Sequence, residues 1–182
     1  GATLTDANLS GATLTNTDLA GANTVRTNFT RANLVGANLD GGKFMLGRAI
    51  LVGANLSDQT LVGFDLQGMD LTGAILVGAN MQQVNLRAAN LTNANLTDAD
   101  LTGGPSLTTA TILSEATLTG ANLTRANLTG AYTSSVSGLR TATLTGANLS
   151  RTDLSGYDLS GMNLEGTVLT GAILQSTNLN GA

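Results

Sequence analysis

An apolar residue, nearly always leucine, returns every five positions along almost the whole chain. The segments Ala7-Asn8-Leu9-Ser10-Gly11, Ala32-Asn33-Leu34-Val35-Gly36 and Ala121-Asn122-Leu123-Thr124-Arg125 show the unit. It reads Ala, then Asn, Asp or Thr, then Leu, then Thr or Ser, then Gly or a variable residue. The central residue is Leu in 29 of 34 units, which makes the phase unmistakable; Thr24, Phe29, Phe44, Met81 and Thr133 replace it elsewhere. A helix repeats near 3.6 residues and a strand side chain near 2, so a period of five fits neither. A short, fixed period sustained over this length denotes a solenoid.

The pattern fixes which positions face inward. The central Leu and the small residue two before it are the apolar pair, and the other three positions are polar, charged or Gly. A chain turning a corner every five residues satisfies this, and four corners close a coil of about twenty residues. Successive coils would then join as β-bridges at roughly 4.8 Å spacing. Every fourth unit should stack, placing the centres Leu4, Thr24, Phe44, Leu66 and Leu86 on one face. In the small column beside them Gly42 precedes Phe64, and Ser137 precedes Tyr157 in another, as dense packing of large against small requires.

The phase breaks three times. The centres step from Phe44 to Leu51, two residues too many. They step from Leu101 to Leu113, two more than two units, across Gly104-Pro105-Ser106. They step from Thr133 to Leu139, one too many, across Ser134-Ser135-Val136. These read as corner bulges near 45–48, 102–110 and 134–138 in one domain spanning 1–182, since short insertions at surface corners are tolerated. Pro105, the only proline, lacks an N–H and suits such a bulge. With one skipped unit between Leu101 and Leu113, one face would run Thr13, Asn33, Asn55, Ile75, Asn95, Thr117.

Composition narrows the chemistry. There is no His, Cys or Trp. That removes Ser-His-Asp triads, Cys nucleophiles and His- or Cys-based metal sites. The reading therefore expects no catalytic residues, no metal site and no cofactor. Charged residues make up 11% against roughly 25% in an average domain, yet the strict phase and the 42% hydrophobic fraction argue against disorder. The net charge of −4 argues against direct nucleic-acid binding, which needs a basic stripe. No apolar run reaches the 18 or so residues of a membrane span. The repeat begins at Gly1 without an initiator Met or signal peptide and is still in phase at Ala182, so the expectation is an array cut from a longer chain. No compartment is assigned; cytoplasmic and periplasmic or lumenal settings are both compatible.

The A(D/N)LXX units over nearly all of the chain resemble the pentapeptide-repeat proteins. That resemblance implies an all-β fold, a right-handed quadrilateral parallel β-helix (β-solenoid) of about nine coils, on the order of 45 Å long. The right hand comes from the resemblance alone. It further implies a non-catalytic structural or protein-interaction rod, a module of a larger protein of cyanobacterial type, such as a membrane protein of heterocyst glycolipid deposition. The alternative is a DNA mimic that binds DNA gyrase, as the quinolone-resistance members do.

The carboxylates and cations bear on the choice between these readings. Asp18, Asp65, Asp70, Asp100, Asp153 and Asp158 all precede a centre, where an Asx side chain bonds the turning backbone. In the frame above they scatter over all four faces, whereas a DNA mimic needs its acid along one. The basic group Arg26, Arg31, Lys43 and Arg48 beside the first bulge, with outward-facing Tyr132 beside the third, are the candidate contacts for an unidentified protein partner. No small-molecule substrate is expected. Thr-X-Thr segments such as Thr117-Leu118-Thr119 do not stack into the flat array that ice binding requires. Uncapped coil ends expose unpaired backbone and predict end-to-end self-association.

Overall fold

The computed structural model describes residues 1–40, 49–104, 106 and 108–182. The chain winds as stacked coils joined by single parallel β-bridges rather than by long strands. The bridges fall in four columns, one per side. The first holds Thr3, Asn23, Asp65, Asn85, Ile112, Tyr132, Asp153 and Ile173; the second begins at Asn8, the third at Thr13 and the fourth at Asp18. Every bridged residue but Ser137 immediately precedes a centre.

Each corner is a four-residue turn from one centre to the next small residue. The amide of Ala7 donates to the Leu4 carbonyl at 2.8 Å, and the same bond recurs from Ala32 to Phe29 and from Ala74 to Leu71. The third residue of the turn has positive φ at nearly every described corner, as at Asp6 with 60° and Gly181 with 71°. A type II turn demands that sign at that place, and Gly adopts it without a Cβ penalty, which explains the Gly at the end of the repeat. Bonds along the rod hold the coils together. The amide of Leu56 donates to Ile75 O at 2.7 Å, that of Ile75 to Ala54 O at 2.9 Å, and that of Asp58 to Val77 O at 2.9 Å.

The interior is a ladder of centres and small residues. Leu34, Leu51, Leu56, Leu61, Leu71 and Leu76 are wholly buried, as are Ala32, Ala54 and Ala74. Each buried Leu contributes roughly 1.5–3 kcal/mol relative to exposure. Gln59 occupies a small position and is accommodated because its amide donates to the carbonyls of Leu34 and Ala37.

Bridged partners are normally 20 positions apart, as Thr3 and Asn23 are, and the departures locate the insertions. Asn28 pairs with Ile50 and Asn33 with Asn55, a separation of 22. The bulge near 45–48, with Phe44, Gly42, Lys43 and Arg48, lies outside the described residues, as does Pro105.

The second break differs from the expectation. Asn85 pairs with Ile112, Asn90 with Thr117 and Asn95 with Asn122, a separation of 27. Leu113 therefore follows Leu101 directly around the coil, and the chain between them is longer by seven residues than in an ordinary unit. The column that placed Thr117 beside Asn95 is wrong by one face. No unit is skipped, and Thr111 takes the small position before Leu113. Its buried hydroxyl accepts the Gln83 N–H at 2.9 Å and donates to Thr102 O at 3.1 Å, closing the wall behind the loop. The base of the loop is tied by the Gly104 amide on Thr109 O at 2.7 Å.

The third break is also resolved differently. Val136, not Ser137, points inward; Ser137 is exposed and bridges Thr117. The additional residue is Gly138, at φ 73°, followed by a single 3-10 turn, Leu139–Thr141, in which Leu139 takes the centre. A Cβ at Gly138 would lie 2.5 Å from the Thr119 amide nitrogen, so only Gly passes there. The large–small pair is accordingly Tyr157 with Val136. The Tyr157 hydroxyl accepts the Val136 N–H at 2.7 Å and donates to the Thr133 carbonyl, pinning both ends of one turn.

Candidate protein interaction surface

Outward positions divide into corners and bridge sites, and the two carry different chemistry. At bridge sites the Asx side chains are committed to the backbone. Asp18 accepts the Ala20 N–H, Asp70 the Thr72 N–H, Asp100 the Thr102 N–H and Asp153 the Ser155 N–H, at 2.9–3.0 Å. Asn8, Asn33, Asn95 and Asn148 do the same. These bonds favour the charged carboxylate. The Ser155 hydroxyl and amide hold Asp153 below the usual range, and those of Ser160 do so for Asp158. At Asp100 burial pushes upward, but Thr102 and Gln82 together outweigh it and the net shift is downward.

The six bridge-site aspartates occupy three of the four sides: Asp65 and Asp153 on the first, Asp70 and Asp158 on the second, Asp18 and Asp100 on the fourth. The expected spread over all four is corrected by the register of the second break. No side becomes an acidic stripe.

The predicted basic group does not converge where it is described. Arg26 and Arg31 sit at successive corners, both at positive φ. Arg26 grips Asp6 of the adjacent coil through two 2.6 Å bonds, which hold the Asp6 carboxyl below its ordinary value and raise the guanidinium. Arg31 extends its stem over Gly53, with Cγ 3.1 Å from where a Cβ would stand. Lys43 and Arg48 lie outside the described residues. Tyr132 is far along the rod from these arginines, in the first column between Ile112 and Asp153.

Tyr132 instead belongs to an apolar cluster that the spacing pattern does not single out. The bridge site is normally Asn, Asp or Thr, but Ile112, Tyr132 and Ile173 replace them on one side within a few coils. Tyr132 is 39% exposed and Ile173 53%. Ile50, Ile75 and Val168 make the same departure, one on each other side. A scan for bridge sites lacking a polar residue would have revealed the cluster. Beside it runs a groove of about 510 Å³, bounded by Gly103 and Gly104 at the root of the seven-residue loop and by Tyr132, Arg151, Asp153 and Ile173.

Among the described residues no group of three or more His, Cys, Asp or Glu is placed to hold a metal ion. No helix there is long and apolar enough to cross a membrane.

Comparison with known proteins places this architecture. The family described as Pentapeptide repeats matches residues 7–45, 49–87, 78–103, 109–132, 139–161 and 147–182. No curated protein matches the chain. Among solved structures, a trypsin-treated variant of QnrB1, a plasmid-mediated fluoroquinolone resistance protein, is 24% identical with a TM-score of 0.61, over 89% of this chain and 76% of that one. That likeness shows the fold. HetL of Nostoc sp. strain PCC 7120, involved in heterocyst differentiation regulation, is 29% identical over 97% of this chain and 86% of its own, with a TM-score of 0.40. A pentapeptide repeat protein of the Arabidopsis thaliana thylakoid lumen is 34% identical, with a TM-score of 0.49. That match spans 57% of this chain and 66% of the Arabidopsis protein.

Proposed function

The chain belongs to the pentapeptide-repeat family, and on that premise we propose that it is a non-catalytic rod that presents side chains to a protein partner. In this reading the coils form a right-handed quadrilateral β-helix of about nine turns, in one domain over 1–182, and the array serves as a module of a larger protein. The observation that carries it is the division of the outward positions. Carboxylates at bridge sites are engaged by their own turns, which leaves little free acid for chemistry, while apolar side chains gather on one side. Clustered, exposed apolar and aromatic groups rimmed by polar ones mark contact surfaces. Arg26, Arg31, Lys43 and Arg48 remain a second proposed contact at the other end of the rod. The gyrase-binding reading has only fold likeness in its favour, and the acid spread over three sides speaks against it.

The test is affinity capture with the rod as bait, the captured proteins identified by mass spectrometry. Four baits are compared: the parent, Ile173→Ser, Tyr132→Ser, and the double variant Arg26→Glu with Arg31→Glu. A discrete partner held by the parent and lost on one class of variant supports the reading and identifies the face. The same captured set on every bait, or none on any, refutes it. A longer chain carrying the array, run alongside, shows whether the rod alone suffices.

A further inference from the structure

We propose that the groove between the seven-residue loop and the Tyr132–Ile173 side binds a short extended peptide carrying a single carboxylate between apolar side chains. The proposal rests on the interaction-rod reading and adds the chemistry of the partner.

Charge placement supplies the first argument. Arg26, Arg87, Arg125 and Arg140 each lie against a carboxylate of the rod. Arg151 makes no such pair among the described residues, although it too stands at a corner with φ 59°. Its stem passes Gly171, with Cγ 3.7 Å from the space a Cβ would fill, and the residue lines the groove. A guanidinium beside apolar surface favours a carboxylate, which it can hold through two parallel bonds.

The remaining walls limit what accompanies that carboxylate. Tyr132 and Ile173 offer apolar surface on either side of Asp153. Asp153 uses one oxygen, Oδ1, on the Ser155 amide and stays ionised, held low by Ser155. Its carboxylate can accept a peptide N–H, and its charge repels a second acid. A densely acidic segment is therefore disfavoured, and one carboxylate flanked by apolar residues fits. At about 510 Å³ the groove falls in the range that accommodates a short ligand in part-apolar surroundings. The backbone amides at the loop root are already used: Gly103 donates to Thr129 O and Gly104 to Thr109 O. Recognition of the anion thus falls to Arg151.

The experiment is amide NMR on the labelled chain, titrated with acetyl-Leu-Asp-Leu-amide and with its neutral counterpart acetyl-Leu-Asn-Leu-amide. The expected result is saturable shifts at Gly104, Tyr132, Arg151 and Ile173 with the Asp peptide, and about tenfold weaker binding of the Asn peptide. Arg151→Gln should equalise the two peptides while retaining the parent melting curve, because Gln83 already occupies the same corner conformation at φ 58°. Ile173→Ser should weaken both. Equal binding of the two peptides by the parent makes the groove a purely apolar surface and overturns the assignment. Shifts located elsewhere, or none at millimolar peptide, also overturn it. If affinity capture still yields a partner while these peptides fail, the groove is refuted and the rod reading stands.

Discussion

Leu76 and Ile75 are neighbours in sequence and opposites in environment, so they measure the inward assignment side by side. Leu76 is 0% exposed and Ile75 37%. Ile75 bridges Asn55 and Asn95 on the outside of the third column, while Leu76 fills the interior beside them. Leu76→Ala removes a fully buried isobutyl group and leaves a cavity that rigid stacked coils cannot close, at about 2.7–5 kcal/mol. Ile75→Ala removes a side chain that water already reaches, at about 1 kcal/mol or less. For a chain of this length each kcal/mol moves the midpoint by about 2–4 °C, so a loss near 3 kcal/mol lowers it by about 6–12 °C. Circular dichroism during heating and in urea reads both values. The denaturant slope should be followed with the midpoint, because a stacked array can lose coils in parts. Leu76→Asp, which buries a carboxylate without a partner, should remove the transition from the middle of the rod altogether. An Ile75→Ala loss equal to or larger than that of Leu76→Ala would refute the assignment of faces.

Other consequences follow from the corners and turns. Tyr157→Phe should cost about 1–2 kcal/mol, since its hydroxyl bonds Val136 and Thr133, and denaturation of the two proteins compares them directly. Burial is the main cause raising the Tyr157 pKa above 10.0, so its contribution is complete below pH 10 and is lost as pH rises further; the Phe variant should lack that alkaline loss. The lowered aspartates act oppositely. The stability from Asp100, Asp153 and Asp158 is present above the unfolded value near 3.9 and disappears as pH falls below it. Asp100→Asn keeps an acceptor for Thr102 and should flatten that acid loss in a pH series of melts. Gly138→Ala should cost about 2–4 kcal/mol, combining positive φ with a backbone collision. Gly63→Ala, at φ 67° with no atom within 4 Å, should cost only about 1–2 kcal/mol in the same assay.

Much of this architecture is legible in the sequence because five-residue spacing, Leu at the centre and Ala before it leave one inward arrangement. The Asx turns are legible for the same reason, since Asn or Asp recurs at one place in most units. The register across residues 102–110 is not. Leu113 lies twelve positions after Leu101, and spacing alone cannot distinguish two long units from one unit with a long loop. The bridges decide it, with Asn85 paired to Ile112 and Asn90 to Thr117, and the buried Thr111 hydroxyl supports that register through its bonds to Gln83 and Thr102. The Val136–Tyr157 pair is hidden similarly, because a single extra residue, Gly138, exchanges inward and outward neighbours. On the surface, charged residues stand out in a sequence more than missing polar groups do. The spacing therefore draws notice to Arg26 and Arg31 and passes over Ile112 and Ile173. Nor does proximity in sequence bring Arg26 and Arg31 together, because successive corners aim side chains in different directions.

Disulfide trapping across the second break tests the account most directly, because Gly103 and Gly104 border the Tyr132–Ile173 side only if the coils stack in this register. The chain has no cysteine, so introduced pairs report without background. Bridged residues stand close enough for a disulfide, whose Cα atoms lie about 4.4–6.8 Å apart. Asn90→Cys with Thr117→Cys should oxidise readily to an intramolecular bond, and Asn95→Cys with Thr117→Cys should stay reduced under the same conditions. Efficient closure of the second pair and failure of the first would contradict the register, the seven-residue loop and the groove it borders.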